Sequence, residues 1–200
     1  MRMDIVARVQ GIILKPKEEW PKIKEESQTV SQMLTSYVMI LAAIPAVAQF
    51  IGYGIVGHRV PFYGWYRLGI GTALVRGILS YVLTVASVYI LHIIINALAP
   101  TFSSKQNPES AMKLAAYAMT PGLVAAALGI IPMLYILVWI ANLYGIYILY
   151  LGLDAGIMET PKEKIVGYLV VIILITFVIM GVVGAILGTL FAVGTGLRFF

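Results

Sequence analysis

The sequence predicts an all-α integral membrane protein, a bundle of five transmembrane helices preceded by an amphipathic helix at the membrane interface. Of the 200 residues, 60% are hydrophobic and only 12% are charged, whereas about a quarter of the residues in a soluble domain are charged. The charged residues are also clustered, which leaves long uncharged stretches to face lipid. The sequence contains no cysteine, which excludes disulfides, thiol nucleophiles and cysteine-ligated metals.

The first segment, residues 1–30, is predicted to lie at the membrane surface. Within residues 3–14 the apolar side chains recur on one helical face, which carries Ile5, Val9, Ile12 and Ile13. Charged residues recur on another face, a pattern typical of a helix in the headgroup plane. Packing of this helix on loops of the same chain is the alternative. We interpret residues 17–26 as a solvated charged face, with Trp20 at the interface.

Residues 31–200 form the predicted membrane domain, in which gaps between charged residues mark the spans. The stretches without Asp, Glu, Lys or Arg are 28–57, 114–153 and 165–197, and 68–99 contains only Arg76. A span needs about 20 apolar residues, so the middle stretch is long enough to cross twice, with a reversal at Gly129 and Pro132. The predicted helices are 33–56, 69–98, 112–130, 133–153 and 165–193.

The distribution of basic residues favours a cytoplasmic N-terminus. Most lysines and arginines lie in the N-terminal segment and in the two loops on the same side, and only Arg59, Arg67 and Arg198 lie on the opposite side. Because cytoplasmic loops carry an excess of Lys and Arg, the C-terminus is predicted to lie outside. We therefore predict a multi-pass protein of the cell membrane, the inner or plasma membrane, whose basic N-terminal segment contacts anionic lipids.

The sequence contains no constellation that would support catalysis. It has no Gly-rich phosphate loop, no zinc-protease motif, no serine-hydrolase motif and no pair of acidic residues within a span. His58 and His92 are too few and too far apart for a metal site. The basic residues flank spans without forming a domain, so a nucleic-acid partner is not predicted. We expect a non-enzymatic protein without catalytic residues, cofactor or metal.

Four polar residues lie within the predicted spans, where an unpartnered polar group is costly. They are Gln49, Arg76, Asn96 and Asn142. Arg76 is the strongest candidate for contact with a lipid or ligand, since it lies about 10 Å below the end of its helix. Its guanidinium either extends to the headgroups or faces the bundle, where it would bind carbonyls or an anionic headgroup. Asn142 is expected to hydrogen-bond another helix.

Prolines and glycines within the spans predict how the helices bend and pack. Pro45 and Pro121 each remove a backbone donor, so both helices are expected to bend. The last helix carries a ridge of small residues, Gly181, Gly184 and Gly188. Such a ridge permits two helices to approach closely. We interpret it as a contact within the chain, with homodimerisation as the alternative.

Two motifs in the chain resemble those of a known family. The first is the run 8–20, an isoleucine and leucine stretch followed by Pro16 and Trp20, which precedes the first span. The second is Ala115-Ala-Tyr-Ala-Met-Thr-Pro-Gly122, then Ile131-Pro132, then Asn142-Leu-Tyr144. Both are similar to the prokaryotic branch of the Ypt-interacting protein (Yip) domain family. The resemblance covers most of the chain and implies a multi-spanning protein with a cytoplasmic N-terminus.

The resemblance also bears on function. Eukaryotic members of that family are implicated in vesicle trafficking and in contact with small Rab-type GTPases. This chain has only about thirty residues before its first span and lacks their acidic, tyrosine-bearing motif, which argues against a GTPase partner. We predict a membrane-organising or adaptor role, with lipids, a second copy or another membrane protein as partners. The alternative is a small transporter, channel or lipid-binding protein that uses Arg76 and the proline-bent helices.

Overall fold

The computed structural model describes residues 4–60 and 64–195, so Arg198 lies outside the described residues. Two short helices, α1 (Ile5–Leu14) and α2 (Pro16–Glu25), come first. Five long helices follow: α3 (Val30–Val56), α4 (Ile70–Phe102), α5 (Pro108–Ile130), α6 (Tyr135–Asp154) and α7 (Lys162–Thr195). All five are long and apolar enough to cross a membrane. The predicted helical membrane fold with five spans is confirmed.

Local capping interactions explain where several helices begin. Asp4 accepts hydrogen bonds from main-chain N–H groups at the start of α1. Thr29 and Gln32 form a capping box at the start of α3, and Asn107 caps α5. Such side chains satisfy the free N–H groups of a first helical turn. α5 begins a turn earlier than predicted, and this added turn contains Glu109, which lies outside the uncharged stretch 114–153.

Consecutive long helices are neighbours in the bundle. α3 packs against α4, α4 against α5, and α5 against α6, whereas α7 contacts α4 and α6. The loop after α6 lies at the same end as α1 and α2, since Lys24 Nζ donates to the Ala155 carbonyl at 3.3 Å. The loop after α4 lies there too, because the Lys105 N–H donates to the Met158 carbonyl at 2.9 Å. We call this end of the bundle the proximal end and the opposite end the distal end.

A short hairpin occupies the distal connection between α3 and α4. Strands β1 (His58–Val60) and β2 (Gly64–Tyr66) are antiparallel, with His58 opposite Tyr66. Gly57, just before β1, has φ 86°, a left-handed conformation that favours glycine. The hairpin was not predicted, because strands of three residues are too short to show the alternation that identifies a strand.

The N-terminal helices pack onto the proximal end of the bundle. α1 contacts α5 and α2 contacts α6. Ile12, Trp20 and Ile23 are fully buried in the same hydrophobic core as the long helices. The rest of the predicted apolar face of α1, Ile5, Val9 and Ile13, packs against that core, while Val6 and Leu14 remain exposed. Helices of the same chain cover Trp20 completely, so its side chain does not contact headgroups, and its depth in the membrane stays a prediction.

α7 is the least covered of the spans. Only 6% of the most apolar 18-residue stretch of α7 is buried, compared with 33% to 44% of the corresponding stretches in the other four spans. Most of its described side chains therefore face outward from the bundle.

Candidate functional site

Arg76 lies within α4, and its side chain is buried in the bundle. The residue is 7% exposed, and its Nη1 donates to the main-chain carbonyl of Leu187 on α7. The guanidinium carbon lies 4.2 Å from the ring centroid of Tyr53 on α3. A carbonyl oxygen and an aromatic face are both favourable partners for a guanidinium. Arg76 thus joins α3, α4 and α7 near the distal end.

Gln49 lies one turn before Tyr53 on α3, and Ser80 lies one turn after Arg76 on α4. Gln49 Nε2 donates to Ser80 Oγ at 2.9 Å. Residues four apart on a helix lie about 6 Å apart on the same face. Gln49 and Tyr53 therefore form one pair on α3 that faces the pair Arg76 and Ser80 on α4. We call these four residues the distal cluster.

Two atoms of the distal cluster are buried without a hydrogen-bond partner among the described residues. They are Nε of Arg76 and Oε1 of Gln49. A buried polar atom without a partner carries a free-energy cost, and such atoms are uncommon in folded proteins. The distal cluster therefore has unused hydrogen-bonding capacity.

Asn96 lies near the proximal end of α4 and does not join the distal cluster. Twenty residues separate it from Arg76, which corresponds to about 30 Å along the helix. Its main-chain carbonyl accepts a hydrogen bond from Gln106 Nε2 at 3.2 Å. Within the described ranges, its side-chain Oδ1 and the Nε2 of His92 are both buried without a partner.

Asn142 makes its hydrogen bond within its own helix. Its Nδ2 donates to the Val138 carbonyl of α6 at 2.8 Å, so the prediction of a bond to another helix is wrong. Its Oδ1 lies against Gly122 of α5, where any added Cβ would overlap the amide. The Asn142 side chain has room to bond the carbonyl one turn earlier in α6 because the residue that faces it on α5 is a glycine. Asn142 therefore contributes to the α5–α6 contact through close packing.

Pro45 and Pro121 lie inside continuous helices, α3 and α5. Pro45 belongs to the α-helical stretch Met39–Ile51, which π-helical turns precede and follow. A π-helical turn interrupts the regular hydrogen bonding of a long helix and is a common position for a bend. Beside Pro121, the Thr120 hydroxyl lies 2.8 Å from the hydroxyl of Tyr37 on α3. The bends at the two prolines stay predictions.

The glycine ridge of α7 does not pack within the chain. A Cβ at Gly181, Gly184 or Gly188 would meet no atom within 4 Å. The interpretation of the ridge as a contact within the chain is therefore wrong, and homodimerisation stays a prediction. Close glycine packing occurs instead between α5 and α6, where a Cβ at Gly145 would overlap the Ala118 carbonyl oxygen.

A charged group at the proximal end was not predicted from the sequence. Arg8 of α1 forms an ion pair with Glu19 of α2 at 2.6 Å and a second with Glu26. Lys113 of α5 donates to the carbonyls of Ile23 at 2.8 Å and Glu26 at 2.5 Å. These bonds fasten the N-terminal helices to the bundle.

Trp20 completes this attachment. Its Nε1 donates to the Ile148 carbonyl of α6 at 3.0 Å, and its ring meets that of Tyr117 edge-on at 5.8 Å. A Cβ at Gly152 would lie 2.6 Å from the indole. The signal in the sequence was the apolar series Pro16, Trp20 and Ile23, which recurs at helical spacing. The lysines and glutamates between these residues obscured it.

In the part of the chain that the structure describes, no group of three or more His, Asp or Glu side chains is arranged to hold a metal ion. The contacts of Arg76, Lys113 and Trp20 are bonds between helices. Together with the five apolar spans, they define a multi-spanning integral membrane protein.

Comparison with known proteins identifies the family. The Yip1 domain matches residues 11–194, so the chain belongs to the Yip1 domain family. It is 28% identical over 194 residues to the inner membrane protein YohC of Escherichia coli K12, an alignment that covers 88% of this chain and 95% of that protein. The YohC protein of E. coli O6:H1 matches with the same identity and coverage. No solved structure matches the chain significantly.

Proposed function

We propose that the protein is a non-enzymatic membrane-organising or adaptor protein that binds other membrane-spanning helices through α7. The observation that carries this proposal is the exposure of α7. Only 6% of its most apolar stretch is buried. The other spans form a bundle, while α7 is attached at its side. A helix in this position is free to contact a second protein within the membrane.

The composition of the exposed face of α7 supports a protein partner. Gly181, Gly184 and Gly188 are all exposed and lie on one ridge. Helix association in membranes depends on close packing, which small residues permit and lipid tails do not reproduce. The partner with a matching ridge is α7 of a second copy, so the adaptor would act as a symmetric dimer.

Disulfide crosslinking tests this dimer. In the cysteine-free chain, Gly184→Cys is expected to form covalent dimers when membranes are oxidised, because the two ridges would face each other. Val182→Cys is the matched control, since Val182 is 55% exposed but lies off the ridge. The measurement is the fraction of dimer on a non-reducing gel. Equal crosslinking of the two variants, or none in either, would contradict the proposed interface.

Transport activity would contradict the adaptor role. The expected anion flux through liposomes that contain the wild-type protein equals that of empty liposomes. Flux that is present in the wild type and disappears in Arg76→Met would instead support a transporter in which Arg76 attracts the solute.

We also propose that the N-terminus is cytoplasmic. Lys17 and Lys105 lie at the proximal end, and Arg59 lies in strand β1 at the distal end. With single cysteines at these positions, an impermeant thiol reagent is expected to label position 59 in intact cells, and positions 17 and 105 only after permeabilisation. Labelling of position 17 in intact cells would reverse the orientation. Labelling of positions 59 and 105 from the same face would contradict the order of the spans.

A further inference from the structure

We infer that the distal cluster binds a phosphate group, which the membrane supplies as the headgroup of a phospholipid in the leaflet at the distal end. The inference rests on the charge of Arg76, on the unused hydrogen-bonding atoms around it, and on the apolar outer surface of the bundle at the same level. It does not depend on the adaptor role of α7.

Among the described residues, no acidic side chain lies on the same side of the bundle as Arg76. All acidic residues of the chain lie at the proximal end: Asp4, Glu18, Glu19, Glu25, Glu26, Glu109, Asp154, Glu159 and Glu163. A guanidinium stays protonated in proteins. Burial of an unpaired charge in an apolar environment is costly, so such a charge favours binding of an anion. No acidic side chain of the described residues supplies that anion, so we assign it to a molecule from outside the chain.

The partners of Arg76 within the protein are neutral, and one of its buried donors, Nε, makes no hydrogen bond to them. Nη1 donates to the Leu187 carbonyl, and the guanidinium lies over the ring of Tyr53. Nε is buried without a partner among the described residues. An oxyanion would accept this N–H in a charge-assisted hydrogen bond.

Gln49 offers a second donor one helical turn away. Its amide bonds Ser80, whose hydroxyl can either accept or donate a hydrogen bond. Rotation of the Gln49 side-chain amide, so that its oxygen and nitrogen exchange places, would let Oε1 accept from the Ser80 hydroxyl. The NH₂ group would then be free to donate to another acceptor. Arg76 and Gln49 would then present two donors to two oxygens of one anion. A phosphate group, which carries several acceptor oxygens and a negative charge, matches this pair.

The surface next to the distal cluster fits a phospholipid. Arg76 lies six residues after the first residue of α4, which corresponds to about 9 Å below the helix end. On the outer side of the same turns of α4, Leu74, Val75 and Ile78 are all more than half exposed, so lipid surrounds the helix at this level. On α7, Leu187 is buried while Ile186 and Gly188 on either side are exposed, so the cover over the cluster is thin. A headgroup that reaches Arg76 past this cover would direct its acyl chains toward the middle of the membrane, along the outer surface of the bundle.

Native mass spectrometry of the detergent-solubilised protein with added phosphatidylglycerol tests the inference. The fraction of protein that retains one phosphatidylglycerol is expected to fall at least about tenfold in Arg76→Met, as loss of a charge-assisted hydrogen bond predicts. Arg76→Lys should retain an intermediate fraction, because it keeps the charge but loses the guanidinium geometry. Arg67→Met, which removes an exposed guanidinium at the same end, is the control and is expected to retain the wild-type fraction.

Two further probes separate the sources of the phosphate. Diacylglycerol, which has the same tails without the phosphate, is expected not to be retained. Stabilisation of the wild type by millimolar inorganic phosphate, lost in Arg76→Met and without lipid retention, would assign the site to free phosphate. Equal retention of phosphatidylglycerol by the wild type and Arg76→Met, without such stabilisation, would overturn the inference. If Arg76→Met does not fold, undiminished retention by both Gln49→Leu and Arg76→Lys would overturn it in the same way.

Discussion

Replacement of Gly145 by leucine is expected to destabilise the bundle by about 3 kcal/mol, at the upper end of the cost of overpacking. Gly145 is buried in α6, and any Cβ there would overlap the carbonyl oxygen of Ala118 on α5. The atom in the way belongs to the main chain of a helix, so a change of rotamer cannot relieve the overlap. The two helices would have to move apart and lose van der Waals contacts that lipid does not restore. Unfolding of the purified protein in mixed micelles with increasing SDS measures the loss.

Gly184→Leu is the matched control for this prediction. It introduces the same side chain into a glycine position on α7, where an added Cβ meets no atom within 4 Å. Its expected effect on the unfolding free energy of the monomer is within about 0.5 kcal/mol, as for other exposed substitutions. A larger loss in Gly184→Leu than in Gly145→Leu would show that α7, and not the α5–α6 contact, holds the bundle together.

The contrast between these two glycines shows what the sequence could predict. Hydrocarbon excludes charge, so the uncharged stretches of the sequence identify the spans directly, and all five agree with the structure to within a few residues. A glycine ridge such as that on α7 indicates only that a helix surface permits close approach. Which helix meets it depends on the arrangement of the whole bundle. For this reason the ridge was assigned to a contact that the chain does not make.

The distal cluster was predictable in its members but not in its geometry. Gln49 and Arg76 were both singled out as polar residues within apolar spans, where each requires a partner. The alignment of α3 with α4 then places them one turn apart, with Tyr53 and Ser80 as partners. That alignment depends on side-chain packing along the entire contact, which sequence periodicity does not determine.

The proximal helices show a different limit of the sequence. Their density of charge indicated a solvated segment, but the charges of Arg8, Glu19, Glu26 and Lys113 are largely satisfied by one another and by main-chain carbonyls. Pairing allows ionised side chains to be buried at a modest cost. The apolar face of α2 is then free to pack against the bundle, with Trp20 at its centre.

Replacement of Trp20 by alanine is therefore expected to detach the N-terminal helices from the bundle. The side chain is fully buried, and truncation of such a tryptophan costs about 4 kcal/mol. It would also remove the hydrogen bond to Ile148 and the ring contact with Tyr117. Because the Arg8 ion pairs join α1 to α2, detachment of α2 is expected to loosen α1 as well. Amide hydrogen exchange of residues 5–25 and proteolysis near Lys15 measure the detachment.

Trp20→Phe separates the two contributions of this side chain. Phenylalanine keeps an aromatic ring against Tyr117 and Gly152 but cannot donate to the Ile148 carbonyl, so the expected loss is only about 1 kcal/mol from the hydrogen bond, with the N-terminal helices still protected. Protection of residues 5–25 that is unchanged in Trp20→Ala would mean that the other attachments hold the segment, among them the bonds from Lys113 to the carbonyls of Ile23 and Glu26 and from Tyr144 to the Ile13 carbonyl. In that case Lys113→Met is expected to lower the protection more than the tryptophan variant does, because it removes two of these bonds at once.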